Sequence, residues 1–197
     1  MINMKLVGGA KFSKTIAKAG KNLGEVLPYT LTNCAFEGRA KLIKDMPKYI
    51  DKPTAATTRG VYYTKAKKND RTPFAEVKFS PLAWKWMRYQ VLGGTRTGNT
   101  LTAPVAATKN AYGNVVSGQR ASKILGTAGA FRGTIKGIDG IWKSDSGKLR
   151  LMHVYKQSLR YESILPMQKI VYREATRVFK SKWKQNVSKA LRRSTGL

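Results

Sequence analysis

One cysteine, one histidine and ten acidic residues are all that this 197-residue chain holds of the side chains from which most enzyme centres and covalent staples are built. A lone Cys34 forms no internal disulfide, so a framework of the secreted kind is excluded and a reducing compartment is expected. Cys34 itself reads as a small residue packed against a helix. Metal-dependent hydrolysis needs clustered carboxylates or histidines, and here the acids are scattered. Asp139 and Glu162 are the pair that would meet if both lie on the late strands, with surface ion pairing the preferred reading. His153 falls mid-strand, where a packed or hydrogen-bonded ring is expected rather than a base, and no local signature marks a nucleophile beside it. Gly93-Gly94-Thr95-Arg96-Thr97-Gly98-Asn99-Thr100 has the glycine spacing of a phosphate-binding loop, but Asn99 stands where the lysine must be and Pro104 interrupts the helix that should follow. A flexible turn is expected there. No catalytic residue, cofactor or metal ligand is therefore assigned. Apolar runs are also short: none reaches the roughly 18 residues of a membrane span, so no membrane partner is expected. No repeat at a period of about 20 to 50 residues is visible.

What is abundant is positive charge. Thirty-eight lysines and arginines give a net charge of +28 beside a 42% apolar fraction. The apolar content supports a folded body with a real core. The charge disfavours that body in isolation and demands polyanions or an acidic protein surface as partners.

Periodicity predicts the order helix, strands, excursion, strands, helix. Leu27, Leu31, Ala35, Gly38, Leu42 and Met46 step by three and four, predicting a long helix from Gly24 to about Ile50, with a kink or fresh start at Pro28 and an end at Pro47. A turn follows at Asp51-Lys52-Pro53-Thr54. Arg59 to Lys67 and Phe74 to Phe79 read as paired strands. Pro81 to Gln90, with Trp84 and Trp86, reads as a helical turn capping the sheet. From Gly93 to Gly129 glycine, threonine and alanine dominate, and one irregular excursion is expected over 93–130 with a short strand near Leu101 to Ala106. Phe131 to Lys143 and Lys148 to Lys156 form a hairpin about Ser144-Asp145-Ser146-Gly147. After Pro166, Met167, Val171, Ala175, Val178, Trp183, Val187 and Ala190 trace a closing helix to about Leu191. The expectation is a single α+β domain over 1–197, its long N-terminal and C-terminal helices packed on an antiparallel sheet. At the N-terminus, residues 1–22 form a basic segment in which Phe12, Ile16, Ala19, Leu23 and Val26 keep helical spacing between Lys11, Lys14, Lys18 and Lys21. Such a segment suits an anionic membrane surface or a transit peptide, although it lacks arginine; a first helix with solvated lysines is the preferred reading.

The last helix carries nine basic residues against the single Glu174. Lys169, Arg173, Arg177, Lys180 and Lys184, with Arg96, Arg120 and Lys123 of the excursion, are the candidate partner- or DNA-binding residues, able to neutralise phosphates or meet an acidic protein ring. No helix-turn-helix, zinc-finger or RNA-recognition signature accompanies them, so base-specific reading is not expected.

Several segments, in order, resemble the minor tail protein Z family of tailed bacteriophages. They begin at Asn33-Cys34-Ala35-Phe36-Glu37-Gly38-Arg39-Ala40 and continue through Asp45-Met46-Pro47, Asp51-Lys52-Pro53-Thr54 and Thr58-Arg59-Gly60-Val61. In the second half they are Gly140-Ile141-Trp142-Lys143, Gly147-Lys148-Leu149-Arg150-Leu151, Val154-Tyr155 and Tyr161. The resemblance implies a non-enzymatic structural virion protein that completes the tail or joins head to tail at the neck, as a homo-oligomeric ring around the DNA channel. Portal or adaptor, tail terminator and tail tube proteins are the implied partners, with genomic DNA reached through its phosphates; the implied location is the virion, and the host cytoplasm during assembly. A sequence-independent nucleic-acid-binding protein is the alternative, and a cryptic nuclease a third reading that would depend on Asp139 and Glu162.

Overall fold

The computed structural model of the chain describes residues 4–7 and 24–195. It is α+β, and the chain divides into two compact units, residues 1–91 with 164–197, and residues 92–163.

In the first unit, strands β1 (Met4–Val7), β2 (Val61–Thr64) and β3 (Phe74–Phe79) make an antiparallel sheet in the order β1-β3-β2. β3 is central, with Val77 opposite Met4 on one side and Phe79 opposite Val61 on the other. Its alternate residues Ala75, Val77 and Phe79 are buried, as a strand with one covered face requires. Helix α1 (Val26–Asp45) lies on this sheet and packs along α5 (Met167–Thr195). All six positions of the α1 stripe, Leu27, Leu31, Ala35, Gly38, Leu42 and Met46, are buried. Pro28 sits in the first turn, where a missing N–H removes no helical bond, so the helix starts afresh two residues before it instead of kinking. A 3-10 turn over Met46–Lys48, holding Pro47, ends the run. On α5, Met167, Val171, Ala175, Val178 and Ala190 are buried and Trp183 and Val187 half-buried. At Gly38 the two helices pack tightly: a Cβ there would lie 3.0 Å from Val171 Cγ1. The Arg39 guanidinium donates to the Val61 carbonyl at 2.8 Å and fixes α1 against β2.

Two expectations change here. The strand over Arg59 to Lys67 is shorter, Val61–Thr64, because Thr54 caps a short helix α2 (Ala55–Arg59) by accepting from the Thr57 amide. The helical turn after Pro81 is a twelve-residue helix, α3 (Pro81–Leu92), which buries Ala83, Met87 and Val91. Of the basic segment over 1–22, the described residues are Met4–Val7, a strand; Lys11, Phe12, Lys14, Ile16, Lys18, Ala19, Lys21 and Leu23 lie outside the described residues.

The second unit is a four-stranded antiparallel sheet in the order β4-β7-β6-β5, made of β4 (Gly94–Pro104), β5 (Ala130–Ile135), β6 (Ile138–Asp145) and β7 (Lys148–Tyr161). The stretch expected to be a flexible turn and a short strand is thus the eleven-residue β4, paired with β7 from Gly94 opposite Tyr161 to Pro104 opposite His153. Gly98 falls within a register shift between Thr97 and Leu101, and the strand resumes beyond it. The irregular path is confined to 105–129, where a four-residue helix α4 (Ala121–Ile124) buries Ile124 against Ile141 and Met152. The single strand expected from Phe131 to Lys143 is two strands. Lys136 and Gly137 both have positive φ, 51° and 78°, and close a two-residue turn with Ile135 opposite Ile138. Ser146 and Gly147 repeat that geometry between β6 and β7, within the expected turn cluster.

Candidate functional site

The C-terminal half of α1 and the N-terminal half of α5 form the walls of an open groove of about 1080 Å³. Glu37, Lys41, Lys44 and Lys48 come from the α1 side, and Lys169, Arg173, Glu174 and Arg177 from α5. Helical spacing does the placing: 37, 41 and 44 recur at four and three on α1, and 169, 173 and 177 at four and four on α5, so each set shares one face, and Lys48 follows in the 3-10 turn.

Six cations and three acids line this groove, and two of the acids are committed to its walls. Asp45 is buried and accepts from Lys48 at 2.9 Å and Lys41 at 3.0 Å. Those hydrogen bonds, Lys48 foremost, hold its carboxyl below the usual carboxylate range against the opposing effect of burial. Glu174 takes a two-pronged contact from Arg177, Nη2 to Oε1 at 2.5 Å and Nε to Oε2 at 3.2 Å, which likewise lowers its pKa. Lys44, Lys169 and Arg173 are exposed and make no ion pair among the described residues. Lys169 stands in the first turn of α5, which has no acid, at the positive end of the helix dipole. That placement disfavours the isolated fold and favours an anion.

The structure therefore brings Lys169, Arg173 and Arg177 into the groove, with Lys180 and Lys184 exposed further along the same stripe of α5. Arg96, Arg120 and Lys123 belong to the second unit, all exposed: Arg96 on β4 opposite Leu159, Arg120 just before α4 with no side-chain cap bond, and Lys123 within α4. Sequence reasoning missed Lys41, Lys44 and Lys48. Their spacing was the available signal, masked by Glu37 and Asp45 when charges are summed along the helix.

The remaining candidates have structural surroundings. Cys34 is a buried thiol packed with Ala175 and Val178, and burial pushes its pKa up to about 11. His153 is buried, its Nε2 lies 2.8 Å from the Gln119 carbonyl, and its Nδ1 finds no hydrogen-bond partner among the described residues. A ring that donates from Nε2 carries its free lone pair on Nδ1. Asp139 and Glu162 do not approach: Gly140 pairs with Val154, so Asp139 lies about seven residues, roughly 23 Å, along the sheet from Glu162. Asp139 instead pairs with Arg132 at 3.1 Å. Among the described residues no group of three His, Cys, Asp or Glu side chains could hold a metal ion, and no helix is long and apolar enough to cross a membrane.

No protein-family model, no curated protein and no solved structure matches the chain.

Proposed function

We propose that the chain is a non-enzymatic building block of the neck of a tailed bacteriophage, a tail completion or head-tail joining protein that assembles as a ring around the DNA channel. The observation that carries the reading is the placement of charge: among the described residues cations line a groove on a folded α+β body, and Asp45 and Glu174 pair locally within its two walls, leaving Lys44, Lys169 and Arg173 without an ion pair. The segments that resemble the minor tail protein Z family support it too. Asn33 to Ala40 contains the Cys34, Ala35 and Gly38 contact surface of α1, and Gly140 to Lys143 and Gly147 to Leu151 make the β6-β7 hairpin.

Copies at +28 repel one another, so a ring is disfavoured in free solution and favoured where an acidic rim or a polyanion neutralises it. Complementary charge then speeds and orients docking on portal, adaptor or tail proteins. Assembly is thereby made conditional on the correct platform.

The test is quantitative mass spectrometry of purified particles from cells that produce the chain, with sedimentation of the free protein. The expected result is a fixed low copy number per particle and a monomer in isolation. A chain missing from the particles overturns the reading.

A further inference from the structure

We infer that the groove between α1 and α5, with the stripe that extends it, seats the phosphate backbone of duplex DNA irrespective of base sequence. This deepens the neck reading and rests on it for the presence of DNA. Lys169, Arg173, Arg177, Lys180 and Lys184 are all exposed, and their spacings of four, four, three and four keep them within about 80° of arc along roughly 22 Å of helix. One DNA strand presents about six phosphates over that length. Five cations of groove and stripe, Lys44, Lys169, Arg173, Lys180 and Lys184, have no ion pair among the described residues, so their charge is available to a ligand.

The composition of the surface separates a phosphate backbone from an acidic protein. A protein interface is organised about buried aromatic or apolar anchors with a polar rim. Here the stripe is wholly cationic, and Tyr49 is the one aromatic side chain in the groove's lining. A line of evenly spaced charges on a rigid helix fits a rod with evenly spaced charges of opposite sign, and an extended polyanion better than a single phosphate. The lining holds no Asn or Gln to pair with adenine, and its lysines and arginines meet phosphates without regard to sequence.

The experiment is fluorescence anisotropy of the full chain with a random-sequence 20-base-pair duplex from about 50 to 300 mM salt. Five phosphate contacts predict a slope of log K against log salt near −4.5, at about −0.9 per contact. Lys44→Gln with Lys169→Gln and Arg173→Gln is expected to flatten the slope by about 2.7 and weaken binding about a hundredfold or more near 100 mM salt. Lys136→Gln with Lys148→Gln and Arg150→Gln removes the same charge from the second unit and is expected to change the slope by less than about 1. Far-UV circular dichroism checks that both triples fold, and single substitutions replace any triple that does not. Equal effects of the two triples, a wild-type slope shallower than about −2, or displacement of the duplex by polyglutamate at equal charge concentration each overturn the proposal. Salt-steep, groove-dependent binding by a chain absent from particles removes the neck reading and leaves the groove as a DNA seat; a chain present in particles without such binding does the reverse.

Discussion

Asn186 Nδ2 donates a 2.9 Å hydrogen bond to Thr30 Oγ1, joining buried residues 156 positions apart at the far end of the α1-α5 contact from the groove. The same Thr30 hydroxyl donates to the Val26 carbonyl at 2.8 Å, so its capacity as donor and acceptor is used within the core. Together with the Gly38–Val171 approach, this fixes how the two helices lie along each other, and hence how the cations on their outer faces are spaced.

Asn186→Ala should destabilise the first unit by about 1–3 kcal/mol, because Thr30 loses its donor in a place water does not readily reach. Urea unfolding should show a lower midpoint at unchanged m-value. An unaltered midpoint would mean that the pair contributes nothing.

In the second unit Gly140 lies beside the register shift between Ile141 and Trp142, and a Cβ there would stand 2.6 Å from both the His153 carbonyl oxygen and Leu151 Cδ1. The leucine tip can move; the ladder carbonyl cannot move without loosening β7. Gly140→Ala is expected to cost about 1–3 kcal/mol, read as a lower thermal midpoint. Full retention of stability would show that the strands separate there freely.

Much of this fold was legible because two signals agree over long stretches. The stripes of α1 and α5 kept helical spacing over five turns or more, and each was bounded by proline. β4 was legible only in its last part, as the short strand near Leu101: Gly94, Thr95, Thr97 and Gly98 have the composition of a loop, and that stretch is a strand because β7 supplies its partner. The turn at Lys136-Gly137 was hidden for a local reason, since lysine is an unusual residue at positive φ where Asn or Asp is the familiar signal. Half of the groove was visible as the basic stripe of α5. Its other wall depends on which face of α1 the packing of Leu42 and Gly38 leaves outward, and that is a tertiary fact.

Acid should weaken the groove. The folded-state pKa of Asp45 lies below its ordinary value, so the unfolded chain takes up the proton first; the stabilisation is present above the unfolded-state value of about 3.9 and is lost as pH falls through the folded one. Asp45→Asn should therefore lower the thermal midpoint near neutral pH, and its deficit should shrink below about pH 4. A deficit that stays constant down to pH 2 would contradict the ion-pair origin.

Cys34 should resist thiol reagents in the folded protein. With its pKa pushed to about 11 from 9.0, the thiolate fraction near pH 8 falls about a hundredfold, and burial against Ala175 and Val178 restricts access further. Labelling with a disulfide reagent should be slow in buffer and complete within minutes in denaturant. Fast labelling of the native protein would show that α1 and α5 separate readily.

The most direct measurement of the central claim is a density map of the head-tail junction in intact particles from cells producing this chain. The account predicts a ring of copies at the neck, each with α1 and α5 resolved and the face bearing Lys169, Arg173 and Lys184 against DNA density. A junction complete without this chain, or the chain recovered only as a free monomer apart from any particle, would contradict it.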